Sequence, residues 1–276
     1  MGHAIPVRKL DFRFPPSIDP VIMPGSPEES FFYMGLSAIL PHLEPYLIRT
    51  MRSALASGEL RDAALEDQVK RFIGQEGQHY RQHIAFNRAA GLHDVAEVRA
   101  LQREIGQTYR RYTKTRPLRF NLAYAEGFEA ATTALGLAVF AIRLFDEMNP
   151  RPAEIWRWHL VEELEHRTVA FDVYERVAGD YAYRLGVSLF VHAQLTRFAI
   201  RVARAMLRAS PELLEQFGGP AARRRRVRAF ARKLGRHALP RILRSYRLRY
   251  SPHALTLPPE IVALGRRFSA QAIKLS

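Results

Sequence analysis

Two segments of this chain carry a carboxylate and an imidazole three residues apart. FIGQEGQHYRQH holds Glu76 and His79, and WHLVEELEHRTVAFDVY holds Glu163 and His166. Positions three apart on a helix lie about 60° apart around its axis, so each pair leaves from one face and can reach one metal ion. A single glutamate precedes each pair, Glu44 in HLEPYLIR and Glu126 in AYAEGFEA. The order Glu, Glu-x-x-His, Glu, Glu-x-x-His is the donor set of a two-metal site built between four helices. Four carboxylates inside a bundle cannot all stay ionised without compensating positive charge, and two divalent cations balance them. Carboxylate and imidazole without sulfur suit iron first, with manganese or zinc as alternatives.

Register helps choose the single glutamates. If the first two helices fold back near Leu60, Glu44 and Glu76 lie equally far from the turn, 16 residues on either side. Glu29 is a further 15 residues back, roughly 20 Å out of register, so Glu44 is preferred to it. The same test fits Glu129 slightly better than Glu126, and that choice stays open. His83 shares the face of Glu76 and His79, and His159 and Glu162 share that of Glu163 and His166. These three are extra ligands or, the more ordinary reading, hydrogen-bond partners within the bundle that hold an imidazole in one tautomer. For the whole set the ordinary alternative is a salt-bridged helix face, against which the doubled motif argues. Phe72, Tyr80, Phe128 and Trp158 are either core or the lining of a substrate channel.

The elements that must position these groups read as all-α. Strand alternation and hairpin turn pairs are missing. Pro6, Pro15, Pro16, Pro20, Pro24 and Pro27 make residues 1–30 an extended arm. A helical bundle is expected over 31–180. Its first helix ends near Ala56 and is interrupted or kinked by Pro41 and Pro45. Further helices are expected over about 62–90, 94–113, 117–145 and 153–177. Residues 181–276 read as a basic amphipathic extension, with Arg197, Arg201, Arg204 and Arg208 at helical spacing and an arginine-dense helix over 221–248.

Composition bounds the rest. The 276 residues are 47% hydrophobic and 25% charged, which suits a packed core. The absence of cysteine excludes disulfides, zinc–thiolate sites, iron–sulfur clusters and cysteine nucleophiles. The net charge of +15 is concentrated in residues 201–250, where fifteen Arg/Lys face only Glu212 and Glu215. That segment suggests docking on the bundle, peripheral contact with an anionic membrane, or an acidic partner such as an electron donor; nucleic acid is less expected because no base-reading motif accompanies it. No secretory signal and no spanning segment is visible, so a cytoplasmic protein is expected. The oligomeric state is left open.

The strings FIGQEGQHYRQH, WRWHLVEELEH and AFDVY resemble a bacterial family described as predicted metal-dependent hydrolases, over roughly residues 40–200. In motif order that family is similar to the ferritin-like di-iron carboxylate proteins. The resemblance implies a ferritin-like four-helix bundle, with Glu76, His79, Glu163 and His166 as metal ligands and Glu44 and Glu126 as the matching single glutamates. Gly127 stands where much of the family is expected to carry histidine. The leading expectation for function is a dinuclear, di-iron oxidoreductase that activates dioxygen on a hydrophobic organic substrate. The alternative is a two-metal hydrolase in which activated water attacks an ester, amide or phosphoester, with Glu162 or His83 as acid/base. Metal storage is a third class, which the basic extension disfavours because it would crowd a cage.

Overall fold

A computed structural model describes residues 5–272, and every regular element among them is helical. The helices are α1 (Pro27–Ser57), α2 (Ala63–Ala89), α3 (Ala96–Thr115), α4 (Leu118–Ala141), α5 (Leu144–Glu147), α6 (Pro150–His166), α7 (Val169–Val177), α8 (Tyr181–Ala209), α9 (Glu212–Gln216), α10 (Gly219–Ser245) and α11 (Pro259–Gln271). The all-α bundle expected from the sequence is the fold.

Local chemistry explains most boundaries. α1 opens on Pro27, where a missing N–H costs nothing, with Glu28 and Glu29 at its positive end; it closes on Gly58 at φ 73°. Asp62 caps α2 by accepting from the Ala64 and Leu65 amides. Two expectations need correction. α1 runs unbroken through Pro41 and Pro45, although proline at position 41 leaves the carbonyl of Ser37 without its helical donor. Asn87 of α2 supplies that donor instead, Nδ2 to Ser37 O at 2.9 Å. The single helix expected over 153–177 is two helices. Arg167 turns its guanidinium back onto Leu164 O at 2.6 Å and reaches Leu255 O at 2.9 Å, and the helix breaks directly after His166.

α1 packs along α2 and α8, and α4 packs along α8, α6, α7 and α10. α8, where the basic extension was expected to begin, lies directly on the backbones of α1 and α4. A Cβ on Gly35 would stand 2.6 Å from Ala199 O, and one on Gly127 would stand 3.0 Å from Ser188 Cα. The histidine expected at position 127 therefore has no room here. Arg201 pairs with Glu104, Arg208 with Glu97, Arg226 with Glu28 and Lys233 with Glu147. Part of the positive charge is thus docked onto the bundle, while Arg224, Arg225, Arg228, Arg232 and Arg236 face solvent. No described helix is long and apolar enough to cross a membrane.

The proline-rich arm has no regular element over residues 5–26, yet it is not peripheral. Ile5, Leu10, Phe12, Val21, Ile22 and Met23 are buried, and so is Arg8, whose side chain is 3% exposed.

Candidate metal centre

α1, α2, α4 and α6 each turn acidic or imidazole side chains into one buried space. Glu44, Glu76, His79, Glu129, His159, Glu163 and His166 are all essentially inaccessible. Their donor atoms fall into three overlapping groups, each within 4.8 Å: Glu44, His79 and His159; Glu76, His79 and Glu163; Glu76, Glu129 and His166. Glu163 stands between the two ends. Its Oε1 lies 3.4 Å from His79 Nδ1 and 3.2 Å from His159 Nε2, and its Oε2 lies 3.7 Å from His166 Nε2. Glu76 Oε1 likewise faces both His79 Nδ1 at 3.7 Å and His166 Nε2 at 3.4 Å. Glu44 closes one end, 3.9 Å from His159 Nε2, and Glu129 closes the other, 3.2 Å from His166 Nε2.

Glu126, the preferred glutamate of its helix in the sequence, is not in this space. Its carboxylate accepts from Arg184 Nη1 at 2.9 Å and Ser188 Oγ at 3.3 Å, both on α8. The two candidates are three residues apart on α4, and the roll of α4 against α8 turns Glu126 away and Glu129 inward. Glu29 is buried near the start of α1 and belongs to none of the three groups.

Hydrogen bonds behind the imidazoles fix where their protons sit. Because Asn87 Nδ2 donates to Ser37 O, its Oδ1 must accept, and Ser37 Oγ donates to it. Ser37 Oγ must then accept from His83 Nδ1 at 2.7 Å. Burial and the neighbouring imidazoles push His83 well down and His159 down to about 4, so both rings are neutral. Neutral His83 therefore has a bare Nε2, which accepts from His159 Nδ1 at 2.9 Å and leaves His159 Nε2 bare, facing Glu163. At the other end, Gln75 Nε2 donates to Pro6 O at 2.8 Å, so its Oε1 accepts from His166 Nδ1 at 2.8 Å. His79 Nε2 donates to Glu162 Oε2 at 3.0 Å. Glu162 can only accept, being ion-paired to Arg8 at 3.0 Å; Arg8 also grips Glu165, Gly265 O and Ser269 Oγ. Each of the three imidazoles thus has one nitrogen occupied outside the centre and aims the other inward.

Of the sequence candidates, His159 faces the centre directly, His83 stands behind it and Glu162 stands behind His79. Gln75, Ser37, Asn87 and Arg8 escaped the sequence reading. Gln75 adjoins Glu76, but nothing local marks Arg8. Phe72 and Trp158 pack edge-on against His166 and His79, with ring centroids 4.7 and 4.9 Å apart. Tyr80 lies on the outer face of α2 and does not approach the centre.

The inward atoms are short of partners. Both carboxylate oxygens of Glu44, Glu76, Glu129 and Glu163 are buried without a hydrogen bond, as are His79 Nδ1 and His166 Nε2. Bare nitrogens aimed at buried carboxylates demand cations, whether metal ions or protons. Without metal, protons are what the site draws in. Burial and the carboxylates around it push Glu44 well above the usual carboxylate range; burial and Glu163 push Glu129 up to about 8. Burial alone would depress His79 and His166. The hydrogen bond to Glu162 and the nearby carboxylates of Glu163 and Glu76 raise the first, and the carboxylates of Glu129 and Glu163 raise the second, well above the usual imidazole value. Burial would likewise raise Glu163, but the imidazoles around it hold it well below. The donor set fits two divalent cations, whose charge matches the four carboxylates.

Two cavities approach this space. One of ≈ 160 Å³ is walled by His159, Phe128, Leu36, Leu40, Leu135 and Leu160. The other, ≈ 370 Å³, lies between α4 and the 241–260 segment and has Thr133, one turn beyond Glu129, in its wall.

No curated protein and no solved structure matches the chain. A family model described as "Predicted metal-dependent hydrolase" matches residues 6–255, a span that includes every residue of the centre as well as the arm residues Pro6 and Arg8. With nine-tenths of its length under that model, the chain belongs to the predicted metal-dependent hydrolase family.

Proposed function

We propose that the chain is a dinuclear metal-dependent enzyme acting on a hydrophobic substrate, and that hydrolysis, the activity in the family's description, is its leading reading. The observation that carries the metal is the set of inward-facing imidazole nitrogens among four buried carboxylates with no other partners. Glu44, His79 and His159 would hold one ion, Glu129 and His166 the other, with Glu76 and Glu163 shared. A divalent pair supplies Lewis acidity that makes water a nucleophile near neutral pH and, if it is iron, electrons for dioxygen.

The chain's own groups do the remaining work. Gln75, His83 and Glu162 keep the imidazole protons at His166 Nδ1, His159 Nδ1 and His79 Nε2, so the other three nitrogens stay free for a cation. Phe72 and Trp158 cover the rings and exclude bulk water. The apolar walls of both cavities favour a substrate with apolar groups flanking the bond that reacts.

A second reading, dioxygen chemistry at a di-iron pair, is favoured by one observation. Glu162 and His83, the groups expected to move protons in hydrolysis, are both committed: Glu162 to Arg8 and His79, His83 to Ser37 and His159.

The test begins with elemental analysis of the purified protein, then splits. Zinc- or manganese-loaded protein is offered p-nitrophenyl esters of increasing acyl length; turnover that chelation abolishes supports hydrolysis. Iron(II)-loaded anaerobic protein is mixed with oxygen; oxygen uptake with a transient visible band, and no ester turnover, moves the assignment to the second reading. Protein that takes up no metal from any of the three ions overturns both.

A further inference from the structure

The wider cavity differs from the narrower one in carrying charge. Its floor is the apolar side of α4, with Ala130, Ala134, Leu137 and Phe140, and its rim holds Arg241 and Arg244 of α10 together with Tyr250. Neither arginine forms an ion pair among the described residues. Arg241 spends one nitrogen on His237 O of its own helix, and Arg244 is exposed. Burial pushes the Tyr250 hydroxyl above its usual range, so it stays a neutral donor. Glu260 is the one acidic residue in the lining; it is exposed and leaves the rim net positive.

A second observation ties this cavity to the centre. Thr133 is 2% exposed and lines the cavity, and its hydroxyl is buried behind that wall without a partner. It follows Glu129 by four residues on the same side of α4, about 6 Å along the axis. The cavity therefore runs from a cationic mouth, along an apolar wall, to Thr133, one turn from the glutamate that closes the His166 end.

We propose that this cavity is the substrate site and that the substrate is a small amphiphilic anion. Its carboxylate or phosphate head is held by Arg241, Arg244 and the Tyr250 hydroxyl, and its apolar part, with the bond that reacts at its far end, points along α4 toward Thr133. This rests on the metal-dependent reading for the word substrate; the binding site itself does not.

The experiment is calorimetric titration of the full-length protein, zinc-loaded and metal-free, with octanoate, octyl phosphate, octanol and inorganic phosphate. Octanoate or octyl phosphate is expected to bind roughly tenfold more tightly than octanol, the worth of one charge-assisted hydrogen bond, and the stronger of the two identifies the head group. Inorganic phosphate alone is expected to give no heat. The R241A/R244A double variant should lose that advantage while binding octanol as before, and Leu137→Trp, which fills the apolar wall, should weaken both. Equal affinity for octanol and the two anions, or octanoate binding unaltered by either variant, overturns the proposal. Metal content measured on the same samples separates the two failures. Two bound metals without anion preference sink only this site, whereas octanoate binding in a protein that takes no metal supports the site and sinks the enzymatic reading.

Discussion

Exchanging Glu129 for glutamine should move the metal-free and metal-loaded proteins in opposite directions. A carboxyl held at about 8 in the fold is protonated at pH 7 in the native state and ionised in the unfolded one. That difference costs the metal-free fold about 1.4 kcal/mol per pH unit above the ordinary value, or roughly 3 kcal/mol at pH 7. The sign follows from proton counting. The native state binds the extra proton, so stability falls as pH rises from the unfolded value and levels off near 8. Glutamine removes the titrating group, and E129Q in chelator should therefore be more stable than the parent by up to about 3 kcal/mol at pH 7, with a flatter pH dependence. The same change takes a charge and a ligand from the His166 end, so metal content should fall from two ions toward one, and metal should stabilise E129Q less than the parent. E126Q is the control. It takes the carboxylate from Arg184, which keeps Glu175 at 3.8 Å as its one acidic partner among the described residues, and should cost about 3 kcal/mol with or without metal while leaving two ions bound. Urea unfolding with and without chelator, alongside elemental analysis, reads all four numbers. Loss of metal in E126Q with two ions retained in E129Q would refute the placement of the centre.

Three further outcomes are expected. Arg8→Met removes the cation behind Glu162, and metal affinity measured by competition with a chromophoric chelator should weaken 10- to 100-fold, roughly the effect of losing such an outer partner. Ser37→Ala deprives His83 Nδ1 of its acceptor and unlocks the His159 tautomer; one of the two ions should become about tenfold more weakly bound while the other is unchanged. Metal loading must expel the protons held by Glu44, Glu129, His79 and His166, so calorimetric titration in buffers of different ionisation heat should show proton release, and affinity should fall as pH is lowered.

The helices and the two Glu-x-x-His pairs were legible in the sequence because both depend on local spacing. Glu44 was legible through its distance from the turn near Leu60. Glu129 and Glu126 could not be separated in that way, since the choice depends on how α4 is rolled, and the roll is set by Gly127 lying against Ser188 of α8. The break after His166 was hidden because it coincides with a contact no local pattern shows, Arg167 to Leu255, 88 residues away. The proton-fixing groups were hidden for the same reason: Arg8 meets Glu162 across 154 residues, and Gln75 meets His166 across 91. Proline 41 misled in one direction and informed in another. It does not break α1, and the carbonyl it frees is what orients Asn87 and, through Ser37, the His83–His159 pair.

The buried arm has a consequence for the order of assembly. Arg8 gathers Glu162 and Glu165 from α6 with Gly265 and Ser269 from α11. The earliest of these residues to be synthesised waits for the last before its guanidinium is fully engaged. Until α11 has been made, the support behind His79 stays incomplete, and tight capture of an ion would follow the synthesis of α11 rather than precede it.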